Sequence, residues 1–293
     1  MNRRELLRGT LAVGAASWAA SATQAAEASP SDEQLPLQII DTNVSLFEWP
    51  FRRLPLDQTG RLVEKLRSLG VTQAWAGSFD GIFHRDLQRA NERLAKECER
   101  FPELVPIGSV NPTLPHWERD VESCANRWKM PAIRLHPGYH GYTLEDPRFA
   151  ELLEMAEEHG ILIQIAVAVE DQRTQPTMLR VPDVDLLPLE ALLRSRPKSR
   201  VQVLNANARQ ASQAQWINFP NLAFDVSRTD GTDAVPMLCK ILGVERLLFG
   251  SHTPFLVPEA AMIRVHESEL LSSEDLRQVY AKNAERWLRG VQS

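Results

Sequence analysis

The stretch Ala132-Ile133-Arg134-Leu135-His136-Pro137-Gly138-Tyr139-His140-Gly141-Tyr142 decides the fold. Strict alternation puts Ile133 and Leu135 on one face of a short strand and Arg134 and His136 on the other. Pro137-Gly138 ends the strand, which leaves the polar pair at its carboxyl end and His140 in the loop just beyond. A guanidinium and an imidazole side by side at a strand terminus is where an α/β barrel builds its chemistry.

Outward from that strand the chain alternates with a regular beat. Strands are predicted over 37–44, 71–76, 104–110, 132–136, 161–169, 201–204, 222–226 and 246–249. Helices are predicted over 58–69, 85–100, 114–128, 147–159, 187–195, 208–216, 233–242, 258–266 and 273–288, with Gly70 and Gly160 closing two of them. Eight strands, each followed by a helix, define a (β/α)8 TIM barrel, a single domain over 37–290. A doubly wound open sheet competes, but no Gly-rich dinucleotide or phosphate-binding signature follows any strand. Two long connections, 49–57 and the proline-bearing 171–185, belong over the mouth of the barrel. A flexible lid and a rigid wall both fit them, and proline favours the wall.

With 293 residues, 43% hydrophobic and 24% charged, the chain has ordinary globular composition. Its formal net charge is −5, and three Arg and two Glu within 1–28 leave the remainder at −6. No basic cluster follows that segment, so nucleic acid is not an expected partner. Arg3-Arg4-Glu5-Leu6-Leu7-Arg8, the apolar run Gly9 to Ala20 and the small residues after it resemble a bacterial twin-arginine export signal over 1–28. This implies a periplasmic protein, exported by the twin-arginine route. No later stretch reaches about eighteen apolar residues, so no membrane partner is expected after leader cleavage. Cys98, Cys124 and Cys239 are widely spaced, without metal-ligand spacing, and read as small buried hydrophobes. A disulfide between two of them stays open.

A barrel interior is normally filled with branched aliphatic side chains. Here, sorting each strand by alternation gives a polar collar at the carboxyl ends: Asn43 and Ser45, Ser78 and Asp80, Asn111, Arg134 and His136, Gln164 and Glu170, Asn205, Asp225 and Ser227, and His252. Ser78, Asp80 and Asn111 also suit turns and caps, and Asp225 the cap of the next helix. His84, His116, His159 and His266 fall in or beside helices and read as surface or structural. His136 and His252 each end an apolar strand just before a turn, which marks them out.

Three landmarks, Asp41-Thr42-Asn43-Val44-Ser45-Leu46, Ile133-Arg134-Leu135-His136-Pro137 and Leu248-Phe249-Gly250-Ser251-His252-Thr253-Pro254-Phe255, resemble the amidohydrolase superfamily. The branch they are similar to is the amidohydrolase-related group, with aminocarboxymuconate-semialdehyde decarboxylase and the pyrone-dicarboxylate lactonases. The segment Asp275 to Leu288 is similar to that branch's C-terminal helix. The resemblance implies a barrel fold and a metal site, whose strand-one pattern is Asp-x-His-x-His. Asn43 and Ser45 stand at those histidines, Ala166 and Asn205 at the histidines of strands five and six, and His252 at the strand-eight aspartate. Asn and Ser offer neutral oxygens and Ala offers nothing, poor replacements for imidazole at zinc. The expectation is therefore no cofactor and no metal ligand, with a divalent metal at a shifted site (His136, His140, His252 and Glu170) as the alternative.

The predicted activity is hydrolysis of an ester or lactone of a small, carboxylated substrate. His252 would be the general base, His136 would hydrogen-bond the carbonyl or orient water, and Arg134 would clamp a carboxylate or an oxyanion. Asn43, Ser45, Asn205 and His140 would bind substrate, with Glu170 and Arg173 at the rim. The competing readings are a retired barrel that binds a small molecule and, ranked last, a decarboxylase. A homo-oligomer is compatible with all of these.

Overall fold

The computed structural model describes residues 37–266 and 269–289. The leader assigned to 1–28 lies outside them. Among the described residues nine parallel strands run in chain order: β1 Ile39–Leu46, β2 Val71–Ser78, β3 Leu104–Pro106, β4 Gly108–Ser109, β5 Ala132–Leu135, β6 Leu162–Ala166, β7 Val201–Leu204, β8 Leu222–Asp225 and β9 Leu247–Leu248. They pair as two sheets, β1-β2-β3 and β4 through β9. β3 and β4 are two pieces of the single strand expected over 104–110, interrupted at Ile107, whose N–H donates to Ala76 O at 2.9 Å. At the other seam Thr42 N–H donates to Phe249 O and Ser45 N–H to Thr253 O, both at 2.9 Å. Isolated hydrogen bonds, and at the second seam the Val44–Thr253 bridge, join the two sheets in place of regular ladders, and the architecture is the α/β TIM-barrel type.

Burial explains the composition of the strands. β5 to β9 are buried along their whole length, as strands covered on both faces must be. Helices cover the outside through apolar stripes; Leu62, Val63 and Leu66 of Thr59–Ser68 and Phe149, Leu152, Leu153 and Ala156 of Pro147–Glu158 face inward. Asp86 and Asp146 cap helices by accepting the Arg89 and Arg148 backbone N–H groups. All three cysteines are free, and burial raises the thiol pKa values of Cys98 and Cys239 to about 12. Among the described residues no helix is long and apolar enough to cross a membrane.

Two short helical turns at the carboxyl end were not expected. Asp80–Phe83 follows β2, and Pro137–His140 follows β5. Pro137 supplies a fixed φ at the start of the second turn, and Gly141 (φ 71°) ends it in the left-handed region. His140, expected in a loop, is the last residue of this turn.

Candidate active site

The middle of the barrel holds a polar rung. The strand register sets Arg134 beside Gln164 and Gln164 beside Gln202, so three adjacent strands present long polar side chains to the interior. Arg134 Nε donates to Gln164 Oε1 at 2.9 Å, and Gln164 Nε2 to Gln202 Oε1 at 2.8 Å. Gln202 Nε2 reaches Thr42 Oγ1 at 2.8 Å, which donates in turn to Phe249 O at 2.8 Å. The remaining guanidinium donors go to Val44 O (2.9 Å), Ser45 Oγ (3.3 Å), Thr42 O (3.4 Å) and Trp75 O (3.3 Å). A Cβ on residue 77 would lie 2.7 Å from Arg134 Nη1, so glycine there makes room for the head group. Burial lowers the Arg134 pKa to about 10, against the pull of Asp225 and Asp41.

This placement corrects the role read from sequence. A substrate clamp needs free donors, and the five N–H bonds of Arg134 have five acceptors inside the protein. Arg134 is a positioning residue that ties β1, β2 and β6 together. Asn43 and Asn205 are engaged in the same way. Asn43 Nδ2 donates to both Asn205 Oδ1 and Asp225 Oδ2 at 2.7 Å, and Asn205 Nδ2 to Ala168 O at 2.7 Å. Ser45 Oγ accepts from Arg134. Asn43 therefore supplies no free amide donor, whereas Asn205 Nδ2 uses one of its two N–H bonds on Ala168 O.

Two buried carboxylates complete this layer: Asp225, placed in the collar from sequence and also suited to a helix cap, and Asp41, assigned no site role from sequence. Asp225 accepts from Asn205 N–H at 2.9 Å as well as from Asn43, and Asp41 accepts from Ser251 N–H at 2.9 Å and Asn43 N–H at 3.1 Å. Burial raises both pKa values to about 6, despite these hydrogen bonds. A Cβ on residue 250 would meet Asp225 Oδ2 at 2.8 Å, which is why glycine stands in the Gly250-Ser251-His252 turn.

Above the rung lies a cavity of about 10 Å³, lined by Asn43, Ser45, Arg134, His136, Asn205 and His252 and walled by Ile82, Ala166, Val169 and Leu204. That is room for about one water. Asn205 (φ 62°) and His252 (φ 57°) both adopt left-handed backbone, as Asn and His tolerate better than most residues. His252 Nε2 meets Val169 O at 2.7 Å. A carbonyl only accepts, so Nε2 carries the proton and the Nδ1 lone pair is bare in the neutral ring. Burial lowers the His252 pKa to about 3 and holds His136 well below 6.5, so both rings are neutral at ordinary pH. His136 Nδ1 is buried without a partner.

An aromatic roof packs in one cluster with Ile82, Ala166 and Val169 of the cavity's apolar wall. Trp49 is packed edge-on by Phe79 (5.3 Å between ring centroids), Phe83 (5.2 Å), Tyr139 (6.1 Å) and Phe255 (4.9 Å). Phe255 also stacks on His252, 5.3 Å away and 22° from parallel. His140 Nε2 bonds Gly81 O at 3.2 Å, and its Nδ1 is buried and unpartnered; burial lowers its pKa to about 4. Glu170 pairs with Arg52 from the 49–57 connection, a partner sequence reasoning missed because Pro50-Phe51-Arg52-Arg53 looks like any exposed turn. Arg173 is not brought to the site: its side chain is 89% exposed and binds Asp171 at 2.8 Å. Asp80 turns outward to Arg93 at 2.6 Å, and Asn111 caps its own turn by accepting from Thr113 N–H. The 171–185 connection is braced like a wall, Gln175 bonding Glu170 O and both backbone polar groups of Val181.

A parallel α/β barrel with buried imidazoles at the carboxyl ends of its strands defines the class of protein. The family model described as Amidohydrolase matches residues 46–290, and the chain belongs to that family, in the amidohydrolase superfamily. No curated protein matches the chain. Among solved structures it is similar to 2,6-dihydroxybenzoate decarboxylase from Rhizobium (13% identity, TM-score 0.70, covering 86% of this chain and 98% of that one). It is also similar to 5-carboxyvanillate decarboxylase from Sphingomonas paucimobilis (14%, 0.69, 87% and 99%). A third is the Novosphingobium aromaticivorans 5-carboxyvanillate decarboxylase complexed with manganese and 4-hydroxy-3-methoxy-5-nitrobenzoic acid (15%, 0.68, 87% and 96%).

The bound manganese in that relative overturns the expectation of a family site without a cofactor. The donor set of this chain does not fit such an ion in the described conformation. Where a cation would need lone pairs, Asn43 presents an N–H₂ group already bonded to Asp225 and Asn205. The shifted set is not assembled either, since Glu170 faces Arg52, and among the described residues no three His, Cys, Asp or Glu side chains are gathered to hold a metal.

Proposed function

We infer that the chain hydrolyses esters or lactones of small carboxylated molecules, with His252 taking the proton from water. The observation that carries this reading is the water-sized cavity flanked by two neutral imidazoles, next to amides and a guanidinium already engaged elsewhere. Water in the cavity gives its proton to His252 Nδ1 as its oxygen bonds to the ester carbonyl carbon. His136 hydrogen-bonds the carbonyl oxygen as it gains charge. Collapse of the tetrahedral intermediate breaks the carbon–oxygen ester bond, and the leaving oxygen takes the proton back from His252. The products are a carboxylic acid and an alcohol. A ring held near 3 is a weak base by itself, and a substrate carboxylate nearby favours the imidazolium that the step creates. The twin-arginine stretch supports action in the periplasm, on small molecules that reach it.

The second reading is decarboxylation, favoured by the likeness to the dihydroxybenzoate and carboxyvanillate enzymes. A pH-stat assay on a panel of lactones, acetoxybenzoates and hydroxybenzoates separates the two, because ester hydrolysis releases acid and decarboxylation releases carbon dioxide. The expected result is acid release that His252→Ala lowers by about 10²- to 10⁴-fold. Carbon dioxide release from hydroxybenzoates with no ester turnover would sink the hydrolase reading in favour of the second.

A further inference from the structure

Of the cations at the mouth, Arg52 has a pairing open to exchange. Its side chain is 41% exposed, yet its Nη1 meets Oε1 of Glu170, a carboxylate only 2% exposed. Arg134 is held by five aligned bonds, whereas neither oxygen of Glu170 accepts an aligned hydrogen bond from any described group. The pair is held by charge, on the rim, where the guanidinium has water on one side. It is also joined at both ends to the residues that hold His252. The Arg52 guanidinium carbon lies 5.6 Å from the centroid of Phe255, the ring stacked on His252. Glu170 directly follows Val169, whose carbonyl accepts from His252 Nε2.

We propose that Arg52 is the specificity-determining residue for an anionic substrate and that Glu170 is the internal carboxylate it releases to bind one. Resting on the hydrolase reading above, this names the substrate class for the same site: small molecules carrying a carboxylate beside the ester or lactone. In the closed molecule Glu170 occupies Arg52 and keeps the aromatic roof in place over the cavity. A substrate carboxylate offers the guanidinium two oxygens in plane, a better match than the single contact with Glu170. Exchange of one carboxylate for the other frees Arg52, and with it the 49–57 connection, from the rim of β6. Arg134 takes no part, its donors being fully engaged.

The test uses binding, so that it stands or falls apart from turnover. Calorimetry on the full-length protein compares benzoate, glutarate and 2-furoate with their neutral amides. Wild type should prefer at least one carboxylate by about tenfold or more. Glu170→Gln removes the internal competitor and should tighten that carboxylate about threefold or more while leaving the amide unchanged. Arg52→Ala alone would strand a buried carboxylate, so the second variant is Arg52→Ala/Glu170→Gln, which removes both charges. It should bind acid and amide alike. The proposal is overturned if wild type prefers no carboxylate, if Glu170→Gln weakens carboxylate binding, or if the double variant keeps the tenfold preference. None of these outcomes depends on whether an ester is cleaved.

Discussion

At the level of Arg134, Gln164, Gln202 and Thr42 each side chain's polar atoms meet partners inside the protein. At the end of β5 and in the connections beyond the strands the situation reverses. His136 Nδ1, His140 Nδ1, Tyr139 Oη, Trp49 Nε1 and both Glu170 oxygens are buried without an aligned hydrogen bond. Leaving a buried polar group unpaired costs about 1–3 kcal/mol, so the rung of Arg134, Gln164, Gln202 and Thr42 adds to stability and the unpaired atoms, Asp41 Oδ2 among them, subtract from it. Paired polar groups in a barrel are architecture. Unpaired ones, gathered in one place, are a site waiting for water or ligand.

That contrast is most easily broken by swapping polar for apolar in each layer. Arg134→Leu would leave Gln164 Oε1 without its donor and take one donor from each of the carbonyls of Thr42, Val44 and Trp75, of which Thr42 O keeps Gln164 Nε2. The expected loss is about 3–5 kcal/mol in urea denaturation, enough to unfold many domains. His136→Leu removes a ring nitrogen that has no partner, so its stability should change by less than about 1 kcal/mol or rise. A stable Arg134→Leu protein that has merely lost activity would place Arg134 in the upper layer and undo the division.

The pH dependence of stability sharpens the comparison, because the two layers titrate with opposite sign. Asp41 and Asp225, raised from 3.8 to about 6, are protonated in the folded state before they are in the unfolded one. Their contribution is fully present below 3.8 and lost as pH rises through 6. His252 and His140, lowered to about 3 and 4, and His136, lowered well below 6.5, behave oppositely. Their contribution is present above 6.5 and lost as pH falls. Between pH 6 and 4 unfolding therefore takes up histidine protons and releases aspartate protons, so the two layers pull the pH dependence of stability in opposite directions. The histidines make stability fall as the pH is lowered across that window, and the slope they contribute is the one to test. His140→Phe takes away one histidine proton and should flatten this slope, whatever its effect on absolute stability. An unchanged slope in denaturation curves at pH 6, 5 and 4 would mean that His140 is not neutral in the fold.

Which residues point inward was legible in the sequence for both layers, His136 and His252 included, and what those side chains meet was not. Single polar residues inside apolar runs, as in Ile133-Arg134-Leu135 and Ile163-Gln164-Ile165, mark inward positions through period-two alternation. Gln202 in Val201-Gln202-Val203 carries the same signal. Alternation says which way a side chain points, however, and not what it meets. Arg134 and Asn43 looked like substrate donors because their partners are backbone carbonyls and a carboxylate from strands far away in sequence. Arg52 and the roof of Trp49, Phe83, Tyr139 and Phe255 come from connections, where no period constrains the reading. The split of one strand at Ile107 and the helical turn that carries His140 likewise follow from tertiary pairing, which overrides local pattern.

The smallest expected effect separates the two long connections from each other. Each carries an arginine that sequence alone treats alike: Arg52 in 49–57 and Arg173 in 171–185. Arg52 meets a buried carboxylate, whereas Arg173 meets Asp171, two residues away and in water. The hydrogen bonds from Arg173 lower the Asp171 pKa, but an exposed pair of this kind contributes little to stability. Arg173→Ala should therefore leave stability within about 0.5 kcal/mol of wild type. It should also leave the carboxylate-over-amide preference unchanged, the readout that the Arg52 and Glu170 variants are expected to move. If Arg173→Ala did lower that preference, the 171–185 connection would have to swing over the mouth despite its Gln175 braces, and the anion would be held by this wall, not by the arginine under the aromatic roof.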